Sequence, residues 1–564
     1  MSGKTRAGIA GVVGAVVAFG AAELVHGLYS SVPSVFAALV QGIIEFTPGE
    51  LVTRGIEILG QADIPVLIAC TVIGALAFSA VLANLAVRRP LLALLGVAIL
   101  AVIGVAASLA QPFVAPVPTV VTVVGALILG AAVTETLLRA SGLRAEKAAV
   151  PEPAPPPAGS PDDPTSPVLR SREAYSSGGT AVGRRGFLLL GGGAAVAGLA
   201  ALGAGRVLAG RGGQAAAEPG KLNLPESPAE PSGGEEGGAR RQGGGQPGVR
   251  HETLPPPPED ASIDVPGMPK LITPAASFYL IDTALVSPRI DVNGWKLSVK
   301  GAVDNPVEFS YKDLLGMNTR EADITLSCVS NTVGGGLVSN GRWTGVLLSD
   351  VLAEAGMSRD KITRASQQLV GRSVDGFTAG FRTEIALDGR EALVAFGLNG
   401  SELPVKHGYP VRLVVPGLYG YISATKWLSE LELTSWDFDA YWIQRTWAKE
   451  GPVKTQSRID TVKDGDRLSA GKILVGGIAW APHRGIERVE LSTDGGGTWN
   501  AARLARQLDL DSWRQWVYEW DARPGEYTLQ VRATDGTGET QTASEAPPHP
   551  SGATGYHTIG VTVA

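Results

Sequence analysis

The sequence predicts a multi-domain chain in which N-terminal transmembrane α-helices precede an α+β domain and then an all-β sandwich. Long apolar stretches fill much of the first 210 residues, and all eleven tryptophans lie between Trp295 and Trp520. After residue 451, short β-rich runs alternate with Gly/Asp turns. A length of 564 residues allows three or more structural units. We therefore expect a membrane unit joined to a globular unit.

Composition excludes several classes of function. The net charge of −6, with 18% charged residues, does not indicate a positively charged surface for binding nucleic acid. Two cysteines exclude a disulfide scaffold, and six histidines leave little room for a zinc cluster. The mean hydropathy of +0.14 is high for a wholly soluble protein and indicates membrane segments.

The first unit, residues 1–144, is predicted to contain four membrane-spanning helices. Each needs about 20 apolar residues, and the sequence supplies them at 7–25, 64–87, 91–110 and 117–138. Lys and Arg flank both ends of this set, whereas the loop after the first stretch is mainly acidic. The positive-inside rule therefore places both ends of the unit in the cytoplasm. Within that loop, residues 33–46 are predicted to form a short interfacial helix.

A Pro-rich cytoplasmic linker at 145–183 leads to a fifth apolar segment at 184–210. This segment opens with Arg184-Arg185, followed by Phe187 and a Gly/Ala-rich run, and so resembles a twin-arginine export signal. An ordinary fifth helix is the alternative. Both interpretations place the rest of the chain outside the cytoplasm.

A flexible extracytoplasmic linker is predicted at 211–265, where Pro and Gly are again abundant. It includes a candidate cleavage site at 215–217, so anchored and released forms are both consistent with the sequence. The α+β domain is assigned to 266–448 and the sandwich to 449–564. Five runs in the sandwich are predicted as strands, namely 473–475, 488–492, 516–520, 527–533 and 558–563.

The two cysteines have different sequence settings. Cys70 lies inside the second apolar stretch, where it is expected to pack as a small apolar residue. Cys328 follows the strand-like run 324–327 and precedes a glycine-rich loop, which allows close approach of a ligand. A free thiol in an oxidising compartment is vulnerable unless it is buried or used. The residues alone favour neither of two interpretations of Cys328, a buried structural thiol and a functional one.

A basic cluster follows, in which His407, Arg412 and Lys426 bracket an apolar strand and Ser423 and Thr425 add hydroxyl groups. Cations and hydroxyls next to glycine backbone suit a phosphate-bearing ligand. The alternative is a solvated basic rim.

Several motifs together resemble the sulfite oxidase family, in its membrane-anchored, actinobacterial form. Cys328-Val329-Ser330-Asn331, Arg342-Trp343-Thr344-Gly345-Val346 and the run 407–427 are similar to that family's molybdopterin-binding domain. Residues 489–499 and 552–557 are similar to its immunoglobulin-like dimerisation domain.

The resemblance implies a molybdenum-molybdopterin cofactor with Cys328 as the thiolate ligand of the metal. It also implies that Asn331 lies in the loop that holds the pterin. The phosphate and ring edges would then be bound by His407, Arg412, Ser423, Thr425 and Lys426. A cofactor loaded in the cytoplasm requires export of a folded domain, which favours the twin-arginine interpretation.

Two departures from the family pattern concern the substrate. Thr332 stands where sulfite-oxidising members have arginine, and Asp282 and Thr283 occupy a place where they have an Arg-Asn-His run. The missing cations weaken the case for sulfite. Asp282 and Thr283 remain candidates for contacts with the pterin or with the oxygen ligands of the metal. Arg382 and Arg514 are candidates for replacement charge, although structural roles are favoured for both.

We therefore expect a molybdenum oxidoreductase anchored in a bacterial cell membrane, with its catalytic domain on the extracytoplasmic side. Its substrate is a small oxyanion such as sulfite or a sulfoxide-type compound. No haem site is visible in the sequence, so electrons are expected to pass to or from a separate cytochrome or quinone-linked membrane protein. The family also implies a homodimer. The alternative is a non-catalytic, membrane-anchored assembly or binding protein that retains the molybdopterin fold.

Overall fold

The computed structural model describes residues 1–29, 31–59, 62–111, 114–143, 184–214, 222, 224 and 250–564. These residues fall into two compact units, one made of Met1–Glu45 and Gln61–Gly213, the other of Phe46–Gly60 and Gln214–Ala564. The predicted linker at 145–183 and the candidate cleavage site at 215–217 lie outside the described residues.

The described part of residues 1–214 forms seven helices. They are α1 (Gly3–Leu28), α2 (Val35–Phe46), α3 (Gly49–Leu59), α4 (Asp63–Arg88), α5 (Pro90–Leu109), α6 (Pro116–Ala140) and α7 (Arg184–Gln214). Five of them, all except α2 and α3, are long and apolar enough to cross a membrane. The predicted apolar helices are thereby confirmed, and α2 coincides with the predicted short helix.

Small residues allow α1 to pack closely against its neighbours in the first unit. A Cβ atom added at Gly14 would lie 2.0 Å from Thr134 Oγ1 of α6, and one added at Gly11 would lie 2.3 Å from the Ser79 carbonyl oxygen of α4. Close backbone approach through glycine is typical of helix packing in membranes.

Two side chains of the first unit have surroundings that an apolar helix does not by itself indicate. Glu23 is 4% exposed, and its carboxylate accepts a hydrogen bond of 2.6 Å from Ser34 Oγ. Burial is possible because Ser34 supplies a donor to the charged group. Cys70, expected to be packed, is exposed on α4.

Two sheets form the core of the α+β region. The first has the order β1-β4-β5-β8-β10, with β9 pairing with β8, and the second has the order β3-β2-β11-β6-β7. The strands are β1 (His251–Glu252), β2 (Lys296–Gly301), β3 (Val307–Ser310), β4 (Thr319–Ser327), β5 (Val338–Leu347), β6 (Gln368–Ser373), β7 (Thr378–Arg382), β8 (Leu393–Leu398), β9 (Ser401–Glu402), β10 (Arg412–Val414) and β11 (Leu428–Thr434). Short helices connect them: α8 (Tyr311–Leu315), α9 (Leu348–Glu354), α10 (Thr383–Ala386) and α11 (Gly420–Ser423).

The end of the predicted flexible linker is in fact fixed on this region. β1 pairs in parallel with β4, with His251 opposite Thr319. Ala261 is fully buried in the core. The low-complexity composition of 211–265 hides these contacts because they depend on partners far away in the sequence.

Two further sheets form the C-terminal region, with the orders β12-β14-β18-β17 and β13-β20-β19-β15-β16. The strands are β12 (Gln456–Ile459), β13 (Arg467–Leu468), β14 (Gly471–Trp480), β15 (Ile486–Ser492), β16 (Asn500–Ala501), β17 (Arg503–Leu504), β18 (Arg514–Ala522), β19 (Gly525–Asp535) and β20 (His557–Val563). The five predicted strand runs all fall within these bounds. Trp516 and Trp520 lie in the core of this region, whereas Trp513 packs with the α+β core and donates its indole N–H to the Leu271 carbonyl at 2.9 Å.

A thiol recess at the end of the β4–β5 hairpin

Cys328 lies in the connection between two buried, antiparallel strands. β4 and β5 are paired throughout, from Thr319 opposite Val346 to Ser327 opposite Val338. Residues 328–337, which we call the Cys328 loop, join the two strand ends. Because the last residues of β4 are buried on both faces, the strand holds the start of this loop in the core.

The Cys328 loop is braced by its own hydrogen bonds. The Cys328 amide donates to the Leu337 carbonyl at 3.0 Å, and the Asn331 amide donates to the Cys328 carbonyl at 3.1 Å. The Asn331 side-chain oxygen accepts from the Leu337 amide at 2.8 Å. Asn331 therefore shapes the loop, and it does not line the recess described next.

A recess of about 900 Å³, open to solvent, lies beside this loop. Five of the predicted site residues line it, namely Cys328, Asp282, Thr283, Arg412 and Lys426. The Cys328 side chain is 8% exposed, and burial raises the pKa of its thiol, against the opposing effect of hydrogen bonds from Ser330.

Arg412 places a buried cation at the recess. Its Nη1 donates to the His407 carbonyl at 3.1 Å, and its guanidinium lies 5.0 Å from the centre of the Trp343 ring. Among the described residues no carboxylate lies within ion-pair distance of it, and Asp282 acts on it only at longer range. Burial lowers the pKa of Arg412 to about 10, so the group is charged at neutral pH.

Lys426 and Asp282 form a second charged element of the recess. The Lys426 ammonium donates to Asp282 Oδ1 at 2.7 Å, and also to the carbonyl oxygens of Lys406 and Ile281 at 3.0 and 3.2 Å. Burial lowers the pKa of Lys426 to about 8, and burial also raises the pKa of Asp282. The carboxylate and the ammonium thus compensate each other.

Three other predicted site residues lie outside the recess lining. His407 is buried, its ring contacts Phe278, and burial lowers its pKa to about 4, so it is neutral at pH 7. Ser423 Oγ donates to the Tyr419 carbonyl at 3.0 Å, and Thr425 Oγ1 donates to the Gly371 carbonyl at 3.3 Å. The Ser423 hydroxyl therefore stabilises α11, and the Thr425 hydroxyl joins the residues after α11 to β6.

Both arginines considered as replacement charges also lie outside the recess lining. Arg382 pairs with Glu450 at 2.7 Å and lies over the Trp436 ring. Arg514 donates to the carbonyl oxygens of Ala505 and Ile486, each at 2.7 Å. The structure therefore assigns both to structural contacts, as favoured from the sequence.

An aromatic wall and one carboxylate complete the recess, and sequence reasoning missed them. The wall includes Tyr279, Phe377, Tyr421, Trp427, Trp442 and Trp447, and Asp375 adds a second carboxylate. Rings in the wall contact each other, with centroids 5.9 Å apart for Tyr421 and Trp447. The concentration of tryptophan between residues 427 and 447 is the one sequence signal that marks this wall.

Comparisons with known proteins find a family and relatives that are similar to part of this chain. Residues 284–442 match the family described as oxidoreductase molybdopterin binding domain. Mitochondrial sulfite oxidases of Homo sapiens and Rattus norvegicus are 29% and 30% identical over 320 residues, covering 49% of this chain and 58% of each relative. This chain therefore spans less than two thirds of the length of these curated relatives. A solved structure of the sulfane dehydrogenase SoxCD from Paracoccus pantotrophus is 24% identical, covers 54% of this chain and 83% of that chain, and gives a TM-score of 0.46.

Proposed function

Because this chain carries a molybdopterin-binding domain of the sulfite oxidase family, a family of molybdopterin-dependent oxidoreductases, we propose that it transfers an oxygen atom to or from a small sulfur-type substrate. The observation that carries the proposal is one recess that contains both a buried thiol, Cys328, and a buried cation, Arg412, without a carboxylate partner among the described residues.

The residues of the recess fit a molybdenum-molybdopterin cofactor. A thiolate is the soft ligand that such a metal accepts, and binding of the metal would favour loss of the thiol proton that burial otherwise retains. Arg412 has five N–H donors, and its buried charge suits the phosphate of the cofactor. When bound, the cofactor supplies two-electron oxygen-atom chemistry.

Different residues of the recess would then bind different parts of the cofactor. Cys328 ligates the metal, Arg412 binds the anionic part of the cofactor, and Lys426 adds a cation whose position is fixed by Asp282. Thr283 offers a hydroxyl in the same lining. Three further residues support the recess without lining it, because their side chains bind backbone carbonyl groups: His407, Ser423 and Thr425.

The charges of the recess favour an uncharged substrate over sulfite. Two cations, Arg412 and Lys426, and two carboxylates, Asp282 and Asp375, line the recess, and all of its other lining residues are uncharged. If Arg412 binds the phosphate of the cofactor, the recess offers no net positive charge to a sulfite dianion. Burial of an anion without a cationic partner is costly. An uncharged sulfoxide or related oxide has no such cost, so it is the favoured substrate and sulfite is the second candidate.

Molybdenum content tests the ligand assignment. Purified wild-type chain should contain molybdenum and turn over, whereas Cys328→Ser should lose turnover and most of the metal. Cys70→Ser is the matched control, since Cys70 is exposed on α4 and distant in sequence from the recess. Full metal content with unchanged turnover in Cys328→Ser would overturn the proposal, and metal-loaded wild type without any turnover would favour the non-catalytic alternative.

An artificial electron carrier allows both candidate directions to be compared. The rate of sulfoxide reduction is measured with the reduced carrier, and the rate of sulfite oxidation with the oxidised carrier. We expect the first rate to be the higher. Rapid sulfite oxidation would show that the charge argument, and the replacement of arginine by Thr332, do not decide the substrate.

We also propose that the apolar helices anchor the chain in a bacterial membrane with the recess outside the cytoplasm. Support comes from five apolar helices of sufficient length and from the distribution of Lys and Arg. An external cytochrome or quinone-linked protein would exchange electrons, and the C-terminal sandwich, proposed to be immunoglobulin-like, would form a homodimer. Reporter fusions after Leu143 and after Leu222 should report inside and outside respectively, and the reverse would refute this topology.

A further inference from the structure

The tip of the Cys328 loop touches the C-terminal sheets, outside the domain that carries the recess. Arg458, on β12, donates from Nη1 to the Gly335 carbonyl at 2.7 Å. The guanidinium is itself fixed, since its Nε donates to Asp460 Oδ1 at 2.8 Å, and its side chain is 13% exposed. A hydrogen bond from a partly buried charged donor is stronger than one between neutral groups.

His557, on β20, lies next to the loop tip at Gly334. Gly334 has φ +74°, and a Cβ atom added there would lie 2.2 Å from His557 Cδ2. The imidazole is held in place because its Nδ1 accepts a hydrogen bond from the Ile459 amide at 3.0 Å. Only glycine satisfies both the backbone conformation and this contact.

We propose that Arg458 and His557 form a clamp through which the C-terminal sheets position the Cys328 thiol. The bonds that brace the loop link its tip to Cys328, so a displacement of the tip is passed to the thiol rather than absorbed by the loop. Groups that orient a metal ligand without touching the metal tune both its binding and its electronic properties. The inference rests on the proposed role of Cys328 as metal ligand, and Arg458 is a positioning residue, not a catalytic one.

Thiol reactivity in the cofactor-free chain tests the clamp without any enzyme activity. A Cys70→Ser background leaves Cys328 as the only thiol. In this background the full chain is prepared without molybdenum, and the rate of Cys328 alkylation is measured. Arg458→Met should raise the rate by about tenfold, the effect expected from loss of one hydrogen bond from a charged donor.

Two variants separate the clamp from a general loss of structure. Arg458→Lys keeps a donor and should fall between wild type and Arg458→Met. Arg532→Gln is the matched control, because Arg532 is also a part-buried, ion-paired arginine of the C-terminal sheets, bound to Glu490 at 2.9 Å. Equal alkylation rates in wild type and Arg458→Met, or the same increase in Arg532→Gln, would overturn the inference.

A second route avoids Arg458 altogether. Gly334→Ala should accelerate alkylation because its methyl group collides with His557, and His557→Ala in the same chain should restore part of the protection. An absence of rescue would refute the contact as the cause. If Arg458→Met does not fold, this pair of variants decides the question.

The metal-loaded protein supplies an independent readout. Arg458→Met should keep its molybdenum but show a shifted thiolate-to-metal absorption band and a changed reduction potential, with kcat reduced more than KM is changed. An unchanged spectrum and potential would contradict positioning. If Cys328→Ser retains its metal, the proposed ligand role fails, yet the alkylation data would still report whether the clamp holds the loop.

Discussion

A buried ion pair stabilises the hairpin that carries the Cys328 loop. Asp323 of β4 lies opposite Arg342 of β5, and the guanidinium donates to both carboxylate oxygens at 2.9 and 2.8 Å. The Asp323 side chain is 2% exposed and that of Arg342 is 14% exposed. Arg342 Nη1 also donates to the carbonyl oxygens of Leu254 and Pro255. The pair therefore joins two strands and the segment that follows β1.

Asp323→Asn removes the negative charge at nearly constant volume and leaves the guanidinium without its counter-ion. Breaking a buried pair by removal of one partner costs about 3–5 kcal/mol. We expect about 3 kcal/mol, the lower end, because Arg342 retains its two carbonyl contacts and some solvent exposure. At about 2–4 °C per kcal/mol, the midpoint of thermal unfolding should fall by about 6–12 °C.

The assay is thermal unfolding of the full chain, followed by tryptophan fluorescence, in a double-mutant cycle with Arg342→Met. The double variant should be less destabilised than the sum of the single variants, since neither charge is then left unpaired. Glu308→Gln is the control, because its pair with Lys296 is exposed on both sides and should leave the midpoint unchanged. A loss below about 1 kcal/mol for Asp323→Asn, or strict additivity in the cycle, would refute the reasoning.

Two further predictions concern pH and backbone conformation. Burial lowers the pKa of His557 from 6.5 to about 4, so the unfolded chain binds this proton more readily than the folded one, and stability should fall as pH decreases from about 6.5 towards 4. His557→Gln should remove part of this dependence of the unfolding midpoint, the rest coming from His407, whose pKa is also lowered to about 4, and an identical pH profile in the variant would contradict the assignment. Gly408 has φ +112°, and a Cβ atom there would lie 3.1 Å from the Cβ atoms of both Arg412 and Lys426, so Gly408→Ala should reduce molybdenum content. The control is Gly389→Ala, which has similar backbone strain at φ +95° but open space around the added atom, and which should retain the metal. Equal loss of molybdenum in both variants would show that backbone strain alone is responsible.

Secondary structure was largely predictable because its signals are local. Uninterrupted apolar stretches predicted the five long helices, and the short β-rich runs at 473–475, 488–492 and 527–533 all lie in strands. The pairing of β1 with β4 was not predictable, because two residues in a Pro-rich segment carry no periodicity of their own.

The candidate site was predictable only in part. Cys328, Arg412 and Lys426 were chosen from the sequence and do line one recess. His407, Ser423 and Thr425 were chosen on the same chemical grounds, yet their polar atoms contact the backbone instead. Residue type indicates what a side chain is able to bind, whereas the direction in which it points depends on packing.

The sequence by itself determined where the long apolar helices and the strands of the C-terminal region lie, and it singled out Cys328, Arg412 and Lys426 as candidates for one site. Only the tertiary structure decided that Asp282 neutralises Lys426, that tryptophans near residue 445 form a wall of the recess, and that Arg458 reaches Gly335 across 123 residues. The physical reason is the range of the interactions. Helix and strand periodicity acts between near neighbours, whereas a recess and its supports are built from residues that meet only when sheets from distant parts of the chain pack together.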